Sequence, residues 1–446
     1  MKVDAVFKAY DIRGRTDTGE LDASLYRAVG AAMVQVLGFD RVAIGRDCRE
    51  TSWGFFEAMA EGVTGVGGAV DDLGEVPTDA VYYYSGINRV AGAIITASHN
   101  PPTYNGLKLC RPGALPIGTG TGLEELKEAV ISGHSPTVGP KGQVVTVDAV
   151  GGFVDHLFGI VGADSIGPMR VAVDGGNGMA GVVLHKVFDR IPADLSGLYL
   201  EPDGTFPNHP ADPLDPANLV DLQAHMAGGG YDLGVAFDGD ADRAFFLDDT
   251  GSPLSGSTVT SLIARKLLTD HPGATVVHNV ITSKAVAEIV SEAGGVPLRT
   301  RVGHSFIKQV MADSDAVFGG EHSAHFYFRE NFGADSGMLA MLHLMAILTE
   351  AGRPLTELRT GVERYAASGE INFRVGELAA AIGRVESSVR DAEIDHLDGL
   401  TVDYGREWFN LRPSNTEPLL RLNVEAPDQE RVDEIVEYVK KILEEE

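Results

Sequence analysis

The sequence predicts three similar doubly wound α/β domains with mixed or parallel sheets, followed by a C-terminal α+β domain, around a central cleft. Short apolar runs alternate with helix-like stretches as far as residue 365, which is typical of parallel βαβ units. In three such units an apolar run leads into a loop of reactive side chains, and ligands bind beyond the carboxyl ends of such strands. Residues 366–446 differ: a strand-like run, a helix, three further strand-like runs and a final helix from Asp428.

The three α/β units begin alike, although no strict sequence period relates them. Each opens on a strand that runs into a polar turn, at residues 41–47, 170–178 and 274–280. The stretches that separate domains are a Gly- and Pro-rich linker at 132–140, a turn at 249–253 and a break near 366–369. The predicted domains are residues 1–147, 148–250, 251–365 and 366–446.

The first loop carries a serine on a rigid turn. Residues 90–95 are apolar, and Thr-Ala-Ser-His-Asn-Pro-Pro follows at 96–102. Neither Pro101 nor Pro102 can donate a backbone N–H, so the strand ends here. Ser98 therefore occupies a position where an α/β protein carries a nucleophile or a phosphate. An ordinary turn rich in Ser, Asn and Pro is the alternative.

The second loop is a predicted magnesium site. Residues 232–237 read as a buried strand, and Asp238, Asp240 and Asp242 alternate along the loop that follows. Three carboxylates on so short a loop repel one another, and a hard divalent cation such as Mg²⁺ would offset that repulsion. A calcium-binding EF-hand fits poorly, because Arg243 stands where that loop needs Gly. A solvated acidic turn is the alternative.

The third loop, within residues 316–325, follows a short apolar run and two glycines. We expect Glu321 and Ser323 to hydrogen-bond vicinal hydroxyls of a sugar, and His325 to carry protons near neutral pH. A zinc pair of His322 and His325 is disfavoured, because no Cys or third His lies at ligand spacing. The alternative is a capped turn with a structural histidine.

The fourth loop, in the C-terminal region, is a predicted phosphate clamp between two strand-like runs. Arg412 offers a planar fork for phosphate oxygens. The residues Ser414, Asn415 and Thr416 supply hydroxyls, an amide and clustered backbone N–H groups, which together form an anion-binding nest. Arg421 adds a second cation.

The charge balance excludes two classes of partner. The 446 residues include 36 Lys and Arg against 64 Asp and Glu, and the net charge of −28 argues against nucleic acid and anionic membranes. A phosphate ligand would be repelled by this field, so basic residues must concentrate at the site. The basic residues in or beside the four loops are Lys8, Arg13, Arg46, Lys108, Arg243, Arg412 and Arg421.

Other bulk features indicate a cytoplasmic protein. Cys48 and Cys110 give neither a disulfide framework nor a metal cluster. The first residues lack the apolar core of a signal peptide, and no apolar run approaches the about 20 residues of a membrane span. No obligate protein partner is indicated.

Together the loops predict phosphate transfer to and from a sugar. The sequence has no Gly-x-x-x-x-Gly-Lys-Ser/Thr loop, so we do not expect ATP as the phosphate source, and it has no Gly-x-Ser-x-Gly elbow. A phosphate on Ser98, neutralised by Mg²⁺, would pass to a sugar whose own phosphate is held by the clamp. If the resulting bisphosphate turns over and returns its other phosphate to Ser98, the net reaction is that of a mutase.

The chain resembles the α-D-phosphohexomutases over essentially its whole length. The matching motifs, in the right order, are Phe7-Lys-Ala-Tyr-Asp-Ile-Arg-Gly14, Thr96-Ala-Ser-His-Asn-Pro101, Asp238-Gly-Asp-Ala-Asp-Arg243, Gly320-Glu-His-Ser-Ala-His325 and Arg412-Pro-Ser-Asn-Thr416. This resemblance implies four domains, a phosphoserine at Ser98, Mg²⁺ bound by Ser98 and the three aspartates, and a hexose 1,6-bisphosphate as intermediate and activator.

The resemblance also implies roles for particular residues. Arg13, Lys108 and His325 match positions that assist proton transfer and charge stabilisation at the serine. The implied substrate-binding residues are Lys8, Tyr10, Arg243, His304, Glu321, Ser323, Arg412, Ser414, Asn415, Thr416 and Arg421.

The 320–325 motif is most similar to the phosphomannomutase/phosphoglucomutase branch, so the predicted substrates are hexose phosphates of mannose, glucose or both. His322 and Ala324 depart from that branch's usual Met and Gly, which leaves the sugar open, and a phosphoglucosamine mutase is one alternative. The others are a sugar-phosphate phosphatase that uses the same phosphoserine and a non-catalytic sugar-phosphate sensor.

Overall fold

The computed structural model describes residues 3–133, 141–414 and 419–444. Contacts between residues divide the chain into two compact units. The first unit is Met1–Ser255 with Ser323–Glu357, and the second is Gly256–His322 with Leu358–Glu446. Within the described ranges, no helix combines the length and the apolar character needed to cross a membrane. The four domain boundaries expected from the sequence stay predictions.

The N-terminal sheet is mixed, as predicted. Its strands, β1 to β7, are Ile12–Arg15, Arg41–Arg46, Ala69–Glu75, Ala91–Ile95, Tyr104–Arg111, Leu115–Pro116 and Val144–Thr146. The helices of this stretch, α1 to α5, are Val3–Val6, Ala23–Gln35, Ser52–Gly65, Thr78–Asn88 and Leu123–Ile131. The strand order is β1-β5-β4-β2-β3-β7, with β6 paired to β5. Strands β4, β2, β3 and β7 are parallel, whereas β5 is antiparallel to β1 and β4.

Burial explains the sequence of β4. All five of its residues are buried. A strand covered on both faces reads as a continuous apolar run without alternation, which is the pattern seen in the sequence. The turn after β4 therefore starts from a fixed position in the middle of the sheet.

The second sheet places the acidic loop on a hairpin. Its strands, β8 to β11, are Arg170–Asp174, Asp194–Leu198, Leu233–Phe237 and Ala244–Leu247. The helices, α6 to α8, are Val150–Val161, Gly181–Phe188 and Val220–Met226. The order is β11-β10-β8-β9, parallel except for the antiparallel pair β10–β11. Residues 238–243 connect the two strands of that pair.

Residues 256–360 supply the third set of elements. The strands, β12 to β16, are Thr275–Asn279, Val296–Thr300, Phe318–Gly320, Phe326–Phe328 and Ala334–Asp335. The helices, α9 to α13, are Gly256–Asp270, Lys284–Glu292, His304–Ser314, Gly337–Ala351 and Leu355–Thr360. In the second unit β12 is parallel to β13 and β14, and in the first unit β15 is antiparallel to β16.

The start of the third loop differs from the sequence expectation. The two glycines were expected to follow the strand, but β14 contains both. A Cβ on Gly320 would lie 2.1 Å from Oγ1 of Thr260 in α9, and one on Gly319 would lie 2.9 Å from Sδ of Met311 in α11. Close packing of α9 against the strand therefore requires glycine at position 320, and α11 leaves little room for a side chain at position 319.

The C-terminal region is an antiparallel sheet with two helices, in agreement with the α+β prediction. The strands, β17 to β21, are Ala366–Phe373, Glu393–Asp395, Leu400–Asp403, Trp408–Pro413 and Leu420–Ala426. The helices, α14 and α15, are Leu378–Ser388 and Gln429–Glu444. The order is β17-β21-β20-β19-β18, and the helices close an apolar core that includes Val385, Leu422 and Val439.

One detail of this region was wrong in the sequence analysis. Four strands follow α14, not three, because the short strand β18 carries no apolar run. Residues 366–369, where the sequence analysis placed a break between domains, form the start of β17, and the register shifts between Ala367 and Glu370. Gly369, with a φ of 68°, permits this β-bulge, so the glycine bends a strand and does not end one.

Candidate active site

Ser98 lies on a strained turn at the end of β4. Its φ is 52°, in the left-handed region that a residue with a Cβ rarely adopts, and it is 2 % exposed. Its backbone N–H donates to Oγ1 of Thr96 at 2.9 Å. The strain and the local hydrogen bond indicate a serine held in one orientation, and such strain is concentrated at functional sites.

A buried arginine braces the turn, and the sequence analysis missed it. The side chain of Arg49 is fully buried and pairs with Asp47 at 3.0 Å. Its guanidinium donates to the backbone carbonyls of Ser98 at 2.8 Å, Asn100 at 2.7 Å and Pro101 at 2.7 Å. Its charge therefore satisfies successive carbonyls around the serine, and a guanidinium fork suits that geometry.

The acidic loop approaches the serine closely. Ser98 Oγ donates to Oδ2 of Asp238 at 2.7 Å. Arg243 also donates to that oxygen through Nε at 2.8 Å, and its Nη2 lies 3.2 Å from Ser98 Oγ. A Cβ on Gly239 would lie 2.5 Å from the carbonyl oxygen of Ser98, so only glycine allows this approach. The structure thus brings together the first two predicted loops.

Lys108 and Thr78 hold the other two carboxylates. Nζ of Lys108, on β5, lies 2.6 Å from Oδ2 of Asp240 and 2.5 Å from Oδ2 of Asp242. Oγ1 of Thr78, the first residue of α4, donates to Oδ2 of Asp240 at 2.6 Å. No sequence motif pointed to Thr78, because its partner Asp240 follows a strand of a different sheet.

The donor set fits a hard divalent cation. The three aspartates offer carboxylate oxygens within 4.8 Å of one another. Oδ1 of Asp240 and Oδ1 of Asp242 are buried and have no hydrogen-bond partner in the described part of the chain. Buried oxygens without donors are costly, and a cation that binds oxygen would remove that cost. Two cations, Lys108 and Arg243, face three carboxylates, so the cluster also keeps a net negative charge.

The carboxylates do not share one protonation behaviour. Burial raises the pKa of Asp238 to about 6, although Arg243 opposes the shift. Burial acts in the same direction on Asp240, but the ammonium of Lys108, the hydrogen bond from Thr78 and the charge of Arg243 together lower that pKa overall. Burial would lower the pKa of Lys108, yet Asp240 and Asp242 raise it above its usual value. Lys108 is therefore a cation at neutral pH in this cluster.

His99 is a further neighbour of the serine that the sequence analysis did not select. Its Nδ1 lies 3.2 Å from Ser98 Oγ and accepts a hydrogen bond from Nη2 of Arg243. Burial, Arg243 and Arg13 together lower the pKa of His99 well below its usual value. A neutral His99 whose Nδ1 already accepts a hydrogen bond from Arg243 is an orienting group for that arginine.

His325 is paired with Asp335, whose role the sequence did not reveal. Nδ1 of His325 lies 2.8 Å from Oδ2 of Asp335 and 3.9 Å from Oδ1 of Asp242. Burial alone would lower the pKa of His325, but Asp242 and the hydrogen bond to Asp335 raise it overall. The carboxylate fixes the proton on Nδ1 and leaves Nε2 for exchange.

The structure separates the N-terminal candidates. Arg13, on β1, donates through Nη1 to Oδ1 of Asn100 at 2.8 Å, which places it on the serine turn. Lys8 is exposed, and its Nζ donates to the carbonyl of Ala5 at 2.6 Å, so nothing among the described residues ties it to Ser98. Tyr10 is half-buried in the bend that follows.

In the second unit, Glu321 is oriented by an asparagine. Nδ2 of Asn279, at the end of β12, donates to Oε2 of Glu321 at 3.0 Å, and both residues are buried. His304 begins α11 and is half-buried. Ser323 is a half-buried turn residue of the first unit. Their contacts with a sugar stay predictions.

The predicted clamp is partly described. Arg412, on β20, is buried, and burial lowers its pKa. Its Nη2 donates to Glu370 at 3.0 Å, and Nη1 of Arg421 lies 3.2 Å from the other oxygen of Glu370. The backbone N–H of Ser414 donates to the carbonyl of Leu419 at 2.9 Å. Asn415 and Thr416 lie outside the described residues.

Arg46 does not belong with the cations of the loops. Its guanidinium pairs with Asp72 at 2.8 Å and lies over the rings of Trp53, at 4.5 Å, and Phe56, at 4.8 Å. The sequence placed Arg46 at the end of a strand, but an acidic partner on the neighbouring strand and two aromatic rings account for its charge.

Comparison with known proteins gives a consistent assignment. Four family descriptions match: phosphoglucomutase/phosphomannomutase alpha/beta/alpha domains I, II and III at residues 4–133, 151–251 and 255–365, and the C-terminal domain at 370–442. A protein of Xanthomonas campestris described as "Phosphohexose mutases" is 39% identical over 424 residues, which are 94% of each chain. The phosphomannomutase of Escherichia coli K12 is 37% identical over 437 residues, 96% of each chain.

A solved structure agrees with these relatives. The crystal structure of a phosphoglucomutase/phosphomannomutase family protein from Burkholderia thailandensis superposes with a TM-score of 0.90 at 30% identity, and covers 98% of this chain and 97% of that one. All four domain families are therefore present in one chain, in order, with relatives that match nearly end to end. The chain belongs to the phosphoglucomutase/phosphomannomutase family of mutase enzymes.

Proposed function

We propose that this mutase interconverts hexose 1-phosphate and hexose 6-phosphate, of mannose, glucose or both, through a phosphoserine at Ser98. The observation that carries the proposal is the buried hydroxyl of Ser98, held 2.7 Å from Asp238 at the edge of the acidic loop. A serine so oriented, with the guanidinium of Arg243 3.2 Å from its hydroxyl, suits a residue that carries a phosphate dianion.

Each transfer breaks one P–O bond and forms another. The phosphorus passes from Oγ of the phosphoserine to a sugar hydroxyl, whose proton leaves to a base. Oγ of Ser98 takes up a proton as it leaves and becomes a hydroxyl again, and the first product is a hexose 1,6-bisphosphate. The second transfer is the reverse step on the other phosphate and restores phosphoserine. A bisphosphate that dissociates leaves dephosphorylated protein, so added hexose 1,6-bisphosphate is the expected activator.

Different residues of this chain have different roles in the proposed phosphate transfer. Arg243, held by Asp238 and His99, places positive charge at Ser98 Oγ. His325, with its Nδ1 proton fixed by Asp335, is the proposed proton carrier for the sugar hydroxyl. Mg²⁺, held by the three aspartates and the Ser98 side chain, would neutralise phosphate charge when bound.

Residues of the second unit would recognise the sugar and the phosphate that is not being transferred. Glu321, oriented by Asn279, would accept hydrogen bonds from two adjacent hydroxyls of the hexose. Arg412, with Arg421 and the residues 414–416, would bind the phosphate that is not being transferred. Because glucose and mannose share their 3- and 4-hydroxyls, this recognition would accept both.

The test is phosphorus NMR of the protein with mannose 1-phosphate, Mg²⁺ and a trace of glucose 1,6-bisphosphate, repeated with glucose 1-phosphate. We expect conversion to the 6-phosphate without orthophosphate. Release of orthophosphate would instead identify a phosphatase. If neither sugar phosphate reacts, the next substrate to test is glucosamine phosphate, and the remaining alternative is a non-catalytic sugar-phosphate sensor.

The serine is tested by Ser98→Ala, with the exposed Ser132→Ala as the matched control. After incubation with glucose 1,6-bisphosphate, intact-protein mass should rise by one phosphate in the parent and the control but not in Ser98→Ala. Turnover should fall in the same variant only. Undiminished phosphorylation of Ser98→Ala would contradict the assignment of Ser98.

A further inference from the structure

The two arginines of the clamp are bridged by a carboxylate that no motif singled out. Glu370, on β17, accepts from Nη2 of Arg412 at 3.0 Å through Oε2, and its Oε1 lies 3.2 Å from Nη1 of Arg421. The three residues lie on adjacent strands, because β21 pairs with both β17 and β20. The sheet therefore fixes the carboxylate between the guanidinium groups.

The bridge is well placed to compete with a phosphate. The side chain of Arg412 is 3% exposed, whereas Glu370 is 26% exposed and so remains open to solvent and ligand. Nε of Arg412 and Nε of Arg421 are buried and have no hydrogen-bond partner among the described residues. Glu370 thus occupies one terminal nitrogen of each guanidinium group, Nη2 of Arg412 and Nη1 of Arg421.

The negative charge of Glu370 determines how the carboxylate affects phosphate binding by the two arginines. The two guanidinium groups contribute two positive charges, and Glu370 removes one of them, so an incoming phosphate dianion meets a weaker field than two arginines alone would give. The phosphate and the carboxylate also repel each other, because both lie against the same donors. A carboxylate at this place therefore lowers the affinity for phosphate while it holds the arginines in position.

We propose that Glu370 is an internal counter-anion that keeps the clamp reversible. This inference rests on the proposed function, in which one clamp must bind a phosphate, release it when the bisphosphate turns over, and bind the other phosphate within a single catalytic cycle. A clamp without the carboxylate would hold the phosphosugar more tightly and slow its release.

The variant Glu370→Gln separates charge from position. The amide has the same shape, and its oxygen still accepts from one arginine, but the negative charge is gone. We expect mannose 6-phosphate to bind about tenfold more tightly, measured by calorimetry in EDTA, which is the order of one charge-assisted hydrogen bond gained by the ligand. In turnover assays kcat and KM should fall together. The control Glu393→Gln removes the same charge from the exposed strand β18 and should change neither value.

The opposite sign would overturn the proposal. Weaker or unchanged binding by Glu370→Gln, with an unchanged melting temperature, would make Glu370 a positioning residue only. Failure of the clamp itself gives a different result: Arg412→Ala would then bind mannose 6-phosphate as well as the parent does, and both the clamp and its counter-anion would be rejected.

Discussion

Lys108 shows how a single residue balances the acidic loop. Its ammonium bonds to Asp240 and Asp242, and it is nearly enclosed, with 11% of the side chain exposed. Removal of one partner from a buried ion pair leaves uncompensated charge, which costs far more than the net value of the pair. The lysine therefore stabilises the fold and, by the same charge, weakens the loop's attraction for a cation.

The variant Lys108→Met should reveal both effects. Without Mg²⁺ we expect the free energy of unfolding to fall by about 3–5 kcal/mol, because two carboxylates lose their shared cation. Added Mg²⁺ should raise the melting temperature of Lys108→Met by more than that of the parent, since a ligand stabilises according to its affinity. Thermal and urea unfolding with and without Mg²⁺ measure both quantities.

A surface pair provides the control. Lys127 pairs with the exposed Asp4 at 2.8 Å, and Lys127→Met should cost about 0–1 kcal/mol and leave the Mg²⁺ effect unchanged. If Lys108→Met were as stable as the parent, or responded to Mg²⁺ no more strongly, the balancing role assigned to Lys108 would be wrong.

At the scale of elements, the turn between β4 and β5 is held by an arginine that follows β2. Arg49 lies beyond the end of β2, a parallel neighbour of β4, so the sheet itself delivers the guanidinium to the carbonyls of Ser98, Asn100 and Pro101. The strained φ of Ser98 persists because the surrounding hydrogen bonds over-determine it.

The variant Arg49→Met should release this turn. The buried carbonyl of Ser98 would lose its donor at a cost of about 1–3 kcal/mol, so stability falls. We expect kcat to fall on the order of 10²-fold, the cost of misplacing a reacting group by about 1 Å, while KM changes little because the clamp is untouched. Steady-state kinetics and the single-turnover rate of phosphorylation by glucose 1,6-bisphosphate measure the two effects.

Two variants sharpen that experiment. Arg49→Lys keeps the charge but not the planar fork, and should recover only part of the rate. Arg27→Met removes an exposed arginine that pairs with Glu61, and should behave as the parent does. A parent-like phosphorylation rate in Arg49→Met would refute the bracing role.

The whole molecule consists of two compact units with separate functions in the proposed reaction. The serine turn and the acidic loop lie in the first unit, and Glu321 and the clamp arginines lie in the second. The C-terminal residues of the second unit form an apolar core of their own, in which Leu422 and Val385 are fully buried. Chains built from several cores commonly depart from two-state unfolding.

Calorimetry should therefore resolve more than one unfolding transition. Mg²⁺ should raise the transition of the first unit, because only the acidic loop there is proposed to bind it. Leu422→Ala should lower the other transition, at a cost of about 2–5 kcal/mol for a buried leucine. A single transition that shifts both with added Mg²⁺ and with Leu422→Ala would contradict the prediction that the two units unfold separately.

The sequence alone predicted which reactive side chains the loops carry and which strands lead into them. Ser98 after β4, the aspartates after β10 and Arg412 at the end of β20 were predicted from local patterns, because an apolar run, a turn and a reactive side chain are neighbours in the chain. The mixed α/β domains and the α+β domain followed from the same local patterns.

Only the tertiary structure decided which partners those side chains have. Arg49 meets the turn of Ser98, Thr78 meets Asp240, and Glu370 meets Arg412, in each case across 42 or more residues. No local sequence pattern predicts such a pair, because sheet order and helix packing bring the two partners together. The same packing explains the glycines of β14. A side chain at either position would lie too close to helix α9 or α11, and the glycines do not form a turn.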